Sequence, residues 1–188
     1  MRQLFFNKAI HILLLTDGIV MLAGAMLGPI YAIFVEEIGG GLLDASFAGG
    51  IFALAAGITT LISGRYSDKI KENELIIVLG YIIMGIGFAL YLIVRSIEAL
   101  FLIQIVIGFG EAIYGPAFDA VYSKHLERKK SGFQWGSWEA MSYFTTATGA
   151  ILGGIIVTRF GFDAVFVIMS FLCFGSALYL YFLPRCVL

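Results

Sequence analysis

Four carboxylates stand inside the long apolar runs of this chain: Asp17, Glu111, Asp119 and Glu139. An ionisable side chain near the centre of a bilayer costs about 2.5–3.5 kcal/mol on insertion scales, so such groups mark paths for ions or solutes. Glu111 sits deepest, in QIVIGFGEAIYGPAFDAVYSKHLE, with no Lys or Arg before Lys124. It is the expected proton carrier, exchanging a proton as its site closes and opens to water. Asp17 is the reserve for the same role. Asp119 lies nearer the end of its run, where it can pair with basic residues, and Glu139 stands about two turns inside its own. A second cluster occupies the joint LISGRYSDKIKENELIIVLG, residues 61–80, where Arg65, Asp68, Lys69, Lys71, Glu72 and Glu74 fall within ten residues. Lys71, Glu72 and Glu74 read as a solvated loop. Gly64 lets a neighbouring helix approach, and Asp68, at a helix end, can cap free N–H groups or pair with a base. No metal-ligand spacing, nucleophile elbow or phosphate loop occurs, and Cys173 and Cys186 have no redox spacing. The chain is not expected to be an enzyme or to need a cofactor or metal.

The elements that must hold these groups follow from composition. The 188 residues are 60% hydrophobic and 13% charged, with a mean hydropathy of +0.96. Soluble domains are about 25% charged, so this is an integral membrane protein. A net charge of −1 offers no basic surface for nucleic acid. A membrane helix needs about 20 apolar residues. The sequence predicts one all-α domain over 1–188 with six spans, 9–35, 45–65, 75–94, 99–122, 133–158 and 163–184, parted by short joints. The apolar runs are continuous rather than alternating, which excludes a β-barrel reading. Arg2, Lys8 and Ala23-Gly24-Ala25 imitate a signal peptide, but Asp17 interrupts the run and apolar sequence continues to Val35, so the segment reads as the first span. Of the 12 Lys and Arg, all but Arg95 and Arg159 fall on one side of these spans. The bias predicts both termini in the cytoplasm and a single orientation in the cell membrane. Copies that pair should therefore lie parallel.

The pattern Gly64-Arg65-Tyr66-Ser67-Asp68-Lys69 between the second and third spans resembles the signature loop of the major facilitator superfamily of transporters. TDGIVMLAGAMLGPIYAIF, with an Asp well before a Pro, is similar to the first helix of its drug–proton antiporters. FTTATGAILGGIIVTRFG resembles their fifth-helix motif. The chain departs from the pattern at Ile70-Lys71-Glu72-Asn73, where the loop usually has Gly and basic residues. It departs again at Gln104, where Arg is frequent, and at Ala150, where Pro is usual. The resemblance implies one six-helix half of a two-half fold. It implies a central cavity lined by the first and fourth spans, through Met21, Gly24, Ala25, Gly28, Gln104, Gly108, Glu111, Ile113 and Tyr114. It also implies a cytoplasmic gate built from Gly64, Arg65, Asp68, Lys69, Asp119 and Glu139. The second and fifth spans, rich in Gly and Ala, would meet the opposite half. Expected partners are the bilayer, a small lipophilic solute such as a drug or metabolite, and a second copy of the chain in a parallel homodimer. Three alternatives stay open: a subunit of a heteromeric transporter, part of a longer chain, and a membrane partner that transports nothing.

Overall fold

The computed structural model describes residues 7–67, 69, 70 and 72–184, with the backbone alone at Ser67. Asp68, Lys71, Arg185 and Cys186 lie outside the described residues. All the regular structure among them is helical: α1 (Lys8–Leu27), a 3₁₀ turn (Gly28–Ile30), α2 (Tyr31–Glu37), α3 (Leu42–Ser67), α4 (Asn73–Leu90), α5 (Ile97–Lys124) and α6 (Ser131–Tyr181). Among the described residues, five helical runs are long and apolar enough to cross a bilayer: Lys8–Glu37, Leu42–Tyr66, Asn73–Leu90, Ile97–Lys124 and Ser131–Tyr181.

Local chemistry sets the boundaries. The Asn7 side chain caps α1 by accepting from the Ile10 N–H at 2.9 Å, and Ser96 caps α5 through the Ala99 N–H at 3.3 Å. Pro29 cannot donate, and the chain tightens into the 3₁₀ turn there. After α2 the chain turns through Gly39, whose φ of +87° suits only glycine. Asp44 then accepts the Gly41 N–H at 2.8 Å. Pro116 lies inside α5 and leaves the carbonyl four residues back, at Ala112, without its helical partner. Ser63 Oγ of α3 donates to that carbonyl at 2.6 Å, so the gap in one helix ties down its neighbour. The third predicted span ends early. From Tyr91 to Ile93 the backbone bonds three residues back instead of four, and the buried Tyr91 ring packs there on Phe34 and Phe166.

The joint predicted at 159–163 is a single residue. α6 runs helically through Arg159 and Phe160, breaks at Gly161 (φ +78°, ψ 175°) and resumes. Before the break α6 runs alongside α1: Trp138 meets Asp17, and Gly149 and Gly153 press on Ala25 and Met26. After it, Phe166 meets Tyr91 and Phe174 meets Gly85, so this part runs antiparallel to α4. Tyr81 meets Asp17 and Tyr91 meets Phe34, so α4 and α1 point the same way. The chain therefore reverses direction at Gly161. α5 packs between α4 and α3. Gly80 and Gly110 let α4 and α5 close to backbone contact, since a Cβ on Gly80 would lie 2.8 Å from the Gly110 carbonyl. α3 packs on one side only: Leu54, Ile58, Leu61 and Ile62 point outward, and Ala48 is its one buried residue among those described.

Candidate solute and proton site

Two adjoining cavities lie among α1, α3, α5 and α6, the first bounded by α4 as well. One of about 360 Å³ is walled by Gly24, Gly28, Tyr31, Phe52, Gln104 and Glu111, among others. The other, of about 310 Å³, is walled by Asp17, Met21, Glu111, Tyr114, Asp119 and Trp138, among others. Glu111 belongs to both. Its side chain is exposed to this space, and among the described residues it makes no ion pair.

Asp17 is built differently. It is 1% exposed. Trp138 Nε1 of α6 donates to its Oδ2 at 2.8 Å, and the Tyr81 hydroxyl of α4 donates to its Oδ1 at 3.4 Å. One carboxyl thus joins three helices. Its partners are neutral donors, and buried polar groups in a bilayer persist only when satisfied in this way. Tyr81 packs edge-on against Tyr114, which carries the contact on to α5.

At the far end of the first cavity Gln104 does the equivalent work. Its amide Nε2 donates to the Tyr91 hydroxyl at 3.0 Å and to the Tyr31 hydroxyl. A neutral amide thus bridges two phenols at the position where the resemblance leads one to expect Arg. It fixes the turn after α4 and the start of α2 against α5 without adding charge to the cavity.

Of the residues predicted to line the cavity, Met21, Gly24, Gly28, Gln104, Glu111 and Tyr114 are on its walls. Three are not. Ala25 faces α6, with its Cβ 2.7 Å from where Gly149 would carry one. Gly108 faces α3, where a Cβ would stand 2.7 Å from the Phe52 carbonyl. Ile113 is partly buried and lines neither cavity. Of the predicted gate, Asp119 joins Asp17 and Glu111 around the second cavity. Glu139 is exposed and accepts from the Tyr143 hydroxyl one turn on, at 3.5 Å. Arg65 and Lys69 are exposed, a Cβ on Gly64 would meet nothing within 4 Å, and Asp68 is outside the described residues. Sequence reasoning missed Trp138, Tyr81, Tyr31 and Tyr91. The signal was present: an indole N–H or phenol buried in an apolar helix needs a partner, and this chain offers few acceptors.

Membrane-crossing helices packed around acid-bearing cavities define a polytopic membrane protein. The family model of the Major Facilitator Superfamily matches residues 13–185, and the chain belongs to that superfamily, whose members are transporters rather than enzymes. Among curated proteins it is 26% identical over 185 residues to the uncharacterized MFS-type transporter MJ1317 of Methanocaldococcus jannaschii, a match covering 95% of this chain and 45% of that protein. It is 23% identical over 188 residues to the multidrug resistance protein MdtG of Yersinia enterocolitica, covering 96% of this chain and 45% of the relative. For MdtG of Proteus mirabilis the identity is 27% over 180 residues, with 92% and 44% covered. The chain spans about half the length of the curated relatives it matches.

Proposed function

We propose that this chain is a six-span half of a secondary transporter that moves a small lipophilic solute, a drug or metabolite, by alternating access as a parallel homodimer coupled to protons. The observation that carries this reading is the position of Glu111, on the walls of both cavities at once. A carboxyl there can exchange a proton with whichever compartment the cavity faces. Solute would occupy the apolar chamber beside Phe52, Phe88 and Gln104, and Asp17 would relay protons from the second chamber.

The six-span count rests on the reversal at Gly161. A straight helix of 51 residues would be about 76 Å long, against a hydrocarbon core of about 30 Å. Splitting α6 there gives an even number of crossings and both termini on the basic, cytoplasmic side of the cell membrane. The homodimer reading is motivated by α3 and the first part of α6. Both leave apolar rows outward, Leu54, Ile58 and Leu61 on α3 and Phe144, Ile151 and Ile155 on α6. In the dimer α3 of one copy meets α6 of the other, and the joint at 64–69 closes the cytoplasmic end. Cysteines placed at Ala53 and Ala147, both exposed, should cross-link between copies in bilayers. Monomers alone, or antiparallel pairs, would sink the dimer.

Liposomes holding only this chain test transport itself. An imposed pH gradient should accelerate flux of a lipophilic dye through the wild type, and Glu111→Gln should remove that acceleration. Equal acceleration in both would make Glu111 structural. No flux in either would reject transport by this chain alone.

A further inference from the structure

A third cavity, of about 390 Å³, lies at the other end of the bundle from the basic joints, lined by Phe34, Glu37, Ile38, Tyr91, Arg95, Phe160, Gly161, Phe162 and Asp163. It shares only Tyr91 with the solute chamber. Three elements converge there: the end of α2, the turn after α4 and the bend of α6. Its floor is aromatic and closed. Phe34, Tyr91 and Phe162 are all buried, with Phe34 packed 5.5 Å from Tyr91 and 5.3 Å from Phe162, centre to centre.

Its rim is charged and unneutralised. Among the described residues Arg95 makes one hydrogen bond, from Nη1 to the adjacent Val94 carbonyl at 3.0 Å, which leaves most of its guanidinium donors to the cavity. Glu37 and Asp163 are exposed and, among the described residues, neither is paired with Arg95 or any other base. Opposite charges that share one small cavity without pairing to each other are free to meet a ligand bearing both signs. Phe160, 70% exposed, extends the rim outward as an apolar surface.

We infer that this cavity binds the phosphoethanolamine head group of a zwitterionic aminophospholipid. The phosphate would sit on the Arg95 guanidinium, whose planar fork suits phosphate oxygens. The primary ammonium would donate to the Glu37 and Asp163 carboxylates and lie near the aromatic floor, where a cation is attracted to ring faces. The acyl chains would leave past Phe160 into the bilayer. Choline carries no N–H to donate to the two carboxylates, and a glycerol head group carries no cation at all. The geometry therefore orders the lipids: ethanolamine first, choline second, glycerol last. The site stands apart from the transport reading, since none of Glu37, Arg95 and Asp163 lines either acid-bearing cavity.

The test titrates the purified chain in detergent with dioctanoyl phosphatidylethanolamine, phosphatidylcholine and phosphatidylglycerol, counting bound lipid by native mass spectrometry. The ethanolamine lipid should bind about tenfold more tightly than either other, the worth of one charge-assisted contact. Arg95→Gln should weaken all three lipids together, since each carries the phosphate, and Arg95→Lys should retain part of the affinity. Asp163→Asn combined with Glu37→Gln should reduce the ethanolamine lipid to the level of the choline lipid. This exposed double variant decides the matter if Arg95→Gln does not fold by circular dichroism. Free phosphoethanolamine that competes marks the soluble head group as sufficient. Lipid binding without such competition marks the membrane as the source, and both support the site. Equal binding of the three lipids, an affinity that Arg95→Gln leaves unchanged, or a preference that survives the double variant, overturns it.

Discussion

Asp17 and Glu111 line the same cavity, yet their surroundings are opposite. Asp17 is buried and satisfied by donors from two other helices. Glu111 opens into two chambers with no ion-pair partner among the described residues. Both lie well inside apolar runs, so depth along a helix does not separate them. The face of the helix does. Asp17 shares a turn with the buried Thr16 and Gly18 and points into the bundle, whereas Glu111 falls between the buried Gly110 and Ala112 on the side of α5 turned toward the chambers. A satisfied acid stabilises the resting bundle, and an open one is available to change partners.

The comparison breaks most sharply at Asp17→Leu. The Tyr81 hydroxyl and the Trp138 N–H would be left buried without an acceptor, at about 1–3 kcal/mol for each orphaned donor. Unfolding in mixed micelles should show a loss of about 3 kcal/mol. No loss would mean that water reaches both donors and that Asp17 is as open as Glu111. Trp138→Phe removes the shorter of the two bonds and should cost about 1 kcal/mol. Tyr81→Phe, at the longer bond, should cost less than that, and reversal of this order would place the main anchor on α4 instead of α6. The smallest effect is expected at Glu111→Gln, within about 0.5 kcal/mol, as for sites without buried partners. A larger stability loss there would mean that Glu111 is a structural acid, and the contrast with Asp17 would disappear.

Much of this was open to reading from the chain alone. Continuous apolar runs give membrane helices, and the motifs around Gly64–Lys69 and Thr16–Phe34 point to the superfamily. The acids that share a cavity, Asp17, Glu111 and Asp119, were all singled out by their cost in a bilayer. What the chain does not display is which partner a helix face meets. The resemblance gives the small residues of the fifth predicted span to contact with another half, but Gly149 and Gly153 press on α1 of the same chain, with a Cβ on Gly149 falling 2.9 Å from the Leu22 carbonyl. Gly57 and Gly154 do face open space. Composition is identical in the two cases, and only the rotation of each helix tells them apart. Gln104 is the converse. Its departure from the family's usual Arg was visible, but its bridge between Tyr31 and Tyr91 depends on an early end to α4 that apolar patterning does not signal.

Gly161 has a mechanical consequence. Its φ and ψ lie in a region that only glycine occupies at low cost, and it has no loop on either side to absorb movement. The part of α6 before it is packed on α1, and the part after it is packed on α4. The angle between the two arms is therefore set by two torsion angles of one residue, and any tilt of the first arm against the second has to be taken up there. α1 and α4, which Asp17 links at one level, thus meet again at the end of the bundle through a pivot rather than a cord.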